Sequence, residues 1–166
     1  ASAQTGHAGA DGCMLILLTG CRPGEVFKTE FEPGLLVRDV DLVGGRMTLV
    51  NTKNRKNHTV FLSRQVLAIL EPRCKDKKPD DNVFDIRDPR KALQAINAAA
   101  GVIVTQHKLR HTFASVAEEL VSGYALKRMI NHTDASDVAG TNYVGKSENQ
   151  LRTAWQTVAD FIVNSK

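Results

Sequence analysis

Two short runs, Arg46 to Val50 and His58 to Leu62, are the clearest strand candidates in the chain, and they bracket a polar loop, Asn51 to Asn57, holding Lys53, Arg55 and Lys56. β-Branched and apolar residues in such short runs suit a pleated, half-buried surface. Gly44-Gly45 marks a turn just before the first run, and a third strand is expected at Leu36 to Leu42. Nearly everything else repeats its apolar positions at helical spacing. The expected fold is therefore mostly α with one small antiparallel β-sheet, an α+β arrangement.

The helical stretches can be bounded by their punctuation. Asp11 to Thr19 is an apolar helix ended by Gly20, and Pro23 suits the first turn of a second short helix beginning near Arg22. Phe31 to Gly34 is loop-like. Ser63 to Leu70 is helical, followed by a charged, Pro-containing loop, Arg73 to Asn82. Asp88-Pro89 has N-cap and first-position chemistry for a helix through Ala99. Lys108 to Val121 carries Leu109, Phe113, Val116 and Leu120 at helical steps and stops at Ser122-Gly123, after which Tyr124 to Ile130 forms a short helix. Ser147 with Gln150 makes a capping-box pattern opening a helix over Glu148 to Val163, with Leu151, Trp155, Val158 and Ile162 in one stripe. That stripe either packs on its own domain or docks on a neighbouring subunit.

A chain of 166 residues, 42% hydrophobic and 24% charged, fits one ordinary globular domain with a proper core. Residues 1–12, small, polar and Gly-rich at their start, are expected to be a flexible remnant ahead of a domain over 13–166. The longest apolar stretch, Met14 to Leu18, is far too short to span a bilayer, and no signal-peptide pattern is visible. Three cysteines at irregular spacing form neither a disulfide framework nor a zinc site, so a reducing cytoplasm is the simpler setting. The net charge of +4 favours a polyanionic partner only modestly, because a solvated basic face accounts for it equally.

Chemistry concentrates in His107-Lys108-Leu109-Arg110, where His107 and Arg110 fall on one side of a helix. An imidazole beside a guanidinium is awkward core packing, since a buried Arg needs a partner to offset desolvation. The pair makes sense if both face an anion: Arg grips two phosphate oxygens while His donates or shuttles a proton. A half-exposed helix start with a solvated His and Arg is the bland alternative.

Four motifs in order carry a family resemblance. Thr19-Gly20-Cys21-Arg22-Pro23-Gly24-Glu25 resembles the first arginine box of the tyrosine recombinases, the phage integrases and their bacterial relatives, and His107 to Ser115 is similar to their second box. Thr52 to Lys56, followed by Thr59 to Ser63, resembles the hairpin that presents the family's catalytic lysine; Asn131-His132 and Tyr143 stand where the third-box histidine and the nucleophilic tyrosine belong. The resemblance runs from about Leu15 to the C-terminus. It departs from the usual pattern in a long Glu25-to-Asp41 connection without tryptophan, a long His132-to-Tyr143 gap, and Asn131 in place of glycine.

The resemblance implies the tyrosine recombinase catalytic-domain fold and a DNA breaking and rejoining reaction through a 3′-phosphotyrosyl link, with no metal or cofactor. Arg22 and Arg110 would clamp the non-bridging phosphate oxygens, Tyr143 attack, His107 accept its proton, Lys53 protonate the leaving 5′ oxygen, and His132 hydrogen-bond the phosphate. Lys56 or Arg55 stands as an alternative to Lys53, and a solvated basic turn as an alternative to all three. Tyr124, the other tyrosine, reads as a packing residue. Glu25 either orients Arg22 or makes a surface pair; His111 is second to His107 or a buttress; Arg55, Lys56 and Lys108 are candidate DNA contacts. His7 and His58 carry no case. The implied partner is double-stranded DNA at recombination sites, with tetrameric self-association on DNA in the full-length protein, accessory DNA-bending proteins, no membrane, and a bacterial cytoplasmic location. The implied role is phage or prophage integration or excision. A type IB topoisomerase-like relaxation activity and a non-catalytic DNA-binding domain of the same fold are the alternatives; His107 speaks against the topoisomerase, where lysine is general.

Overall fold

The structure is a computed structural model that describes residues 2–50, 52, 56–131 and 144–165. Helix α1 (Ser2–Thr19) is the axis of the domain. Cys13, Leu15, Ile16 and Leu18 are all buried, on more than one face of the helix, because α3, α4, α5 and α7 pack around it. A helix enclosed this way has little use for an amphipathic stripe. It begins at Ser2 rather than at Asp11: the residues ahead of Asp11 include alanines, the best helix formers, and Ala8 is buried. Gly12, which costs helix propensity, is there for space. A Cβ at that position would lie 2.3 Å from the Phe27 ring.

The sheet is antiparallel in the order β1 (Val40–Asp41), β2 (Arg46–Leu49), β3 (His58–Phe61), with Met47 opposite Val60 and Leu49 opposite His58. Met47, Leu49 and Val60 face inward. The third strand is much shorter than Leu36 to Leu42. Leu36 instead bridges to Asn82, and a 3-10 turn over Val37–Asp39 is held by Val37 N–H to the Asp81 carbonyl (3.0 Å) and Arg38 N–H to that of Pro79 (2.9 Å). A partner distant in sequence wins these backbone groups, which local β-propensity cannot reveal.

Helix α2 (Pro23–Val26) follows α1; α3 (Arg64–Cys74) is capped by Ser63 and continues past Leu70 through Pro72 into its last turn. Helix α4 (Arg90–Ala100) ends on left-handed Gly101. Helix α5 (Gln106–Leu120) starts two residues ahead of Lys108, because the Thr105 hydroxyl accepts from Lys108 N–H and so caps it. Ser122 caps α6 (Gly123–Met129) in the same way.

Helix α7 (Val144–Asn164) begins before Ser147, so the Ser147–Gln150 pair lies inside it and does not open it. Its stripe packs on its own chain: Leu151, Ala154, Trp155, Val158 and Ala159 are buried against α1, α5, α6 and β3. Arg152 fastens the sheet side, donating to the Gly44 and Gly45 carbonyls (2.8 and 3.1 Å) with its guanidinium 4.4 Å over the Phe61 ring. Among the described residues, no helix is long and apolar enough to cross a membrane.

Candidate functional site

The site is built where α1 ends. Gly20 adopts φ +74, the left-handed turn that stops a helix, and its N–H bonds the Ile16 carbonyl (2.9 Å). A Cβ there would also meet the Phe113 ring at 2.4 Å, so α5 crosses against bare backbone. The reversal delivers Arg22 as the N-cap of α2, with Pro23 in the first helical position.

Glu25 uses both carboxylate oxygens on Arg22. One accepts from the Arg22 backbone N–H (2.6 Å), the other from Nη1 (3.0 Å). The Glu25 side chain retains only 10% of its exposure against 28% for Arg22, so the carboxylate is tucked under and the guanidinium faces outward. This is a positioning pair rather than a solvated surface contact.

Arg110 reaches the same place from α5. Its Nη1 donates to the Gly20 carbonyl and its Nη2 to that of Ile130 (2.9 Å). Both acceptors terminate helices, α1 and α6, whose last carbonyls lack partners along the helix and carry partial negative charge. Burial and then the neighbouring Arg22 charge hold the Arg110 pKa below its ordinary value, partly offset by Glu25. Two guanidiniums thus sit within electrostatic reach of each other, and among the described residues Glu25 is the carboxylate that acts on both. Such a pair is left short of negative charge and is suited to an anion with several oxygens.

Cys21 lies between them, fully buried, with its thiol pushed up to about 12 by desolvation and then by Glu25. It stays a neutral thiol and packs as a small hydrophobe.

His107 is exposed on the first turn of α5 and lines a surface cleft with Pro23, Arg90 and Asn97, next to the Arg22 corner. The helical spacing holds, yet the two side chains part: Arg110 turns inward and His107 stays at the surface. His111 and Lys108 are exposed, Lys108 Nζ donating to the Ile103 carbonyl (3.3 Å). Lys56 is exposed beside the sheet. Lys53, Arg55, His132 and Tyr143 lie outside the described residues.

Three further residues at this place escaped the sequence. Thr52 is 5% exposed, with its hydroxyl donating to the Lys56 carbonyl (2.8 Å) and accepting from Asn131 Nδ2 (3.0 Å). Asn131 adopts φ +54, a left-handed conformation in which asparagine is the usual substitute for glycine. That accounts for its standing where glycine is typical, and the helix-end position was the available signal. His58 had none. Packed near Trp155 (6.5 Å between ring centroids), it bonds the Met129 backbone, while its Nε2 is buried without a hydrogen-bond partner among the described residues.

Desolvation, aided by the charges of Arg128, Arg110 and Arg22, lowers the His58 pKa from 6.5 to about 4. On acidification the unfolded chain therefore takes up the proton first. The stabilisation is fully present above about pH 6.5 and is lost as pH falls toward 4, by about 3 kcal/mol for a shift of this size. Urea unfolding at pH 7 and pH 4.5 should show a smaller pH loss for His58→Gln than for wild type; equal losses would remove His58 as the cause.

Comparison with known proteins places this geometry. The phage integrase family model matches residues 6–150. The tyrosine recombinase XerA of Saccharolobus solfataricus is 29% identical over 123 residues, 72% of this chain and 40% of that protein. The XerA of Thermococcus kodakarensis is 31% identical over 111 residues, 59% and 39% of the two chains. The chain thus spans about 40% of the length of these curated relatives. In fold it is similar to an integrase from mycobacterium phage Brujita (TM-score 0.66, 18% identity, 91% of this chain and 51% of that one). It is likewise similar to a XerA recombinase crystal structure (TM-score 0.56, 21% identity, 99% and 62%). A family match spanning both arginine corners, on a fold shared with these recombinases, means that the chain belongs to the phage integrase family.

Proposed function

We propose that this chain is the catalytic portion of a site-specific DNA recombinase that cuts and rejoins strands through a 3′-phosphotyrosyl intermediate at Tyr143. The observation that carries the reading is the Arg22–Arg110 pair, two preorganised guanidiniums that both feel the Glu25 carboxylate. In-line attack on a phosphodiester builds charge on the non-bridging oxygens, where such donors act most strongly. Arg110 spends one N–H of each terminal nitrogen on Gly20 and Ile130, which leaves further donors of its five for phosphate.

The step balances within the chain. The Tyr143 oxygen bonds phosphorus as the bond from phosphorus to the 5′ oxygen breaks; His107 takes the phenolic proton, and the Lys53 ammonium gives one to the departing oxygen. His132 hydrogen-bonds the phosphate. Attack by a free 5′-hydroxyl reverses the sequence and joins new strands, so the bond energy is conserved in the protein–DNA link. Arg55, Lys56 and Lys108 would contact backbone phosphates, with affinity that falls as salt rises. Integration or excision of a phage or prophage element, self-association into a tetramer on DNA and assistance from DNA-bending proteins complete the reading.

The test is a pool of nicked duplexes of random sequence, in which cleavage near the nick releases a short strand and traps the adduct. Covalent protein–DNA complexes resolved on a denaturing gel, with the nucleotide mapped to the Tyr143 peptide, are expected. No adduct from the full-length natural protein sinks the proposal, and attachment at Tyr124 replaces the nucleophile. Relaxation of supercoiled DNA by the same protein, without sequence enrichment in the adducts, would favour a topoisomerase.

A further inference from the structure

Among the described residues between β2 and β3, Thr52 bonds across to Lys56. Thr52 donates to the Lys56 carbonyl through its hydroxyl (2.8 Å) and through its N–H (3.3 Å). Val50, Lys56 and Asn57 are exposed, yet Thr52 is buried, and Asn131 reaches its hydroxyl from the end of α6. The hydroxyl then has both its donor and an acceptor site in use, as a buried hydroxyl requires.

The choice of residue at 131 matters. At φ +54 glycine carries the smaller backbone penalty. What asparagine adds is a side-chain amide, and that amide reaches Thr52, distant in sequence, at 3.0 Å. Consecutive residues at this helix end are also claimed by separate elements: Met129 by His58 of β3 and the Ile130 carbonyl by Arg110 of α5. Thr52 is thereby referenced to the same helix end that Arg110 grips.

We propose that Asn131 is a positioning residue: it holds Thr52, the residue before Lys53 in sequence, to the helix end that Arg110 grips, so that protonation of the leaving 5′ oxygen depends on the Asn131–Thr52 bond. The inference rests on the reading of Lys53 as general acid. In that step a proton passes from the Lys53 ammonium to the 5′ oxygen as its bond to phosphorus breaks, leaving a neutral amine and a 5′-hydroxyl.

The experiment uses the full-length natural protein on nicked DNA of the sequence recovered in adducts, with either the normal 5′ oxygen or a 5′-bridging sulfur at the scissile phosphate. A thiolate is a good leaving group without protonation, since thiols ionise near pKa ~8.5 while water, the model for an alcohol, lies near ~15.7. Asn131→Gly keeps the left-handed turn and removes the amide; Thr52→Val removes the hydroxyl at equal size. Both should slow cleavage about 10-fold on the oxygen substrate and stay within about 2-fold of wild type on the sulfur substrate, a partial loss of the roughly 100- to 10,000-fold that a positioned general acid supplies. The double variant should be no slower than either single one, and Thr52→Ser should restore the rate.

Equal slowing on both substrates would show a general structural role and overturn the proposal, as would no slowing on either. If wild type cleaves neither substrate, the recombinase reading fails and takes this inference with it. If wild type cleaves both while Lys53→Ala is slowed equally on the two, only the general-acid assignment and the inference fail.

Discussion

Arg110→Ala is expected to slow covalent adduct formation by about 100- to 1,000-fold while the chain stays folded. The rate estimate is the loss of one preorganised donor to developing phosphate charge, about 2.7–4 kcal/mol of barrier. The side chain has a second duty, bridging the Gly20 and Ile130 carbonyls. Losing that bridge leaves two helix-end carbonyls to water and costs about 1–3 kcal/mol of stability. Arg110→Lys separates the two duties. An ammonium keeps the charge but has no planar fork, so it cannot bond both carbonyls and phosphate oxygens together. Its stability should lie nearer wild type, and its rate nearer Arg110→Ala. Single-turnover cleavage with a parallel urea melt reads both quantities. A rate within about fivefold of wild type for Arg110→Ala would remove Arg110 from the phosphate site, given the barrier expected of such donors.

Arg22 is expected to behave differently because of what it leaves behind. Glu25 is tucked away with both oxygens on Arg22, so truncating the arginine takes the charged partner from one oxygen and leaves the other on the backbone N–H alone. Breaking one side of such a pair costs more than the pair is worth.

Much of this site was legible because its determinants are local. Gly20 before Arg22-Pro23 announces a left-handed helix stop followed by a helix start, and both are there. The helix that carries His107 and Arg110 follows from its spacing, although the two side chains part, and the antiparallel strand pair follows from two β-rich runs. Illegible were the features made by distant partners. Leu36 to Leu42 has the composition of a strand, but Asn82, Asp81 and Pro79 take its backbone groups. Gly12 has the character of a fraying residue until Phe27 is seen against it. Thr52 and Asn131 gain meaning only when the sheet and α6 meet. The capping box at Ser147 was a correct local pattern overridden by continuation of the helix on its N-terminal side.

Trp155→Ala should be the most destabilising of these substitutions, at about 3–5 kcal/mol for a fully buried aromatic. Trp155 is 1% exposed, stands edge-on to Phe61 at 5.9 Å between centroids, and donates from Nε1 to the Thr19 carbonyl at 3.2 Å. Thr19 is the last residue of α1 and precedes Gly20, whose carbonyl receives Arg110. The indole therefore fixes the C-terminal helix to the backbone from which the arginine corner is built. Trp155→Phe keeps most of the packing and gives up only the N–H, so it should lose about 1–2 kcal/mol and retain adduct formation at low temperature. The measurement also decides where α7 sits in solution. If α7 packs on its own chain, the Trp155→Ala loss is the same at every protein concentration. If α7 instead docks on a neighbouring subunit, stability depends on concentration by mass action. The dilute protein would then be insensitive to the substitution. A loss below about 1 kcal/mol in dilute protein, far short of the cost of emptying a buried aromatic site, would mean that the arginine corner is completed by a second copy rather than by the chain's own last helix.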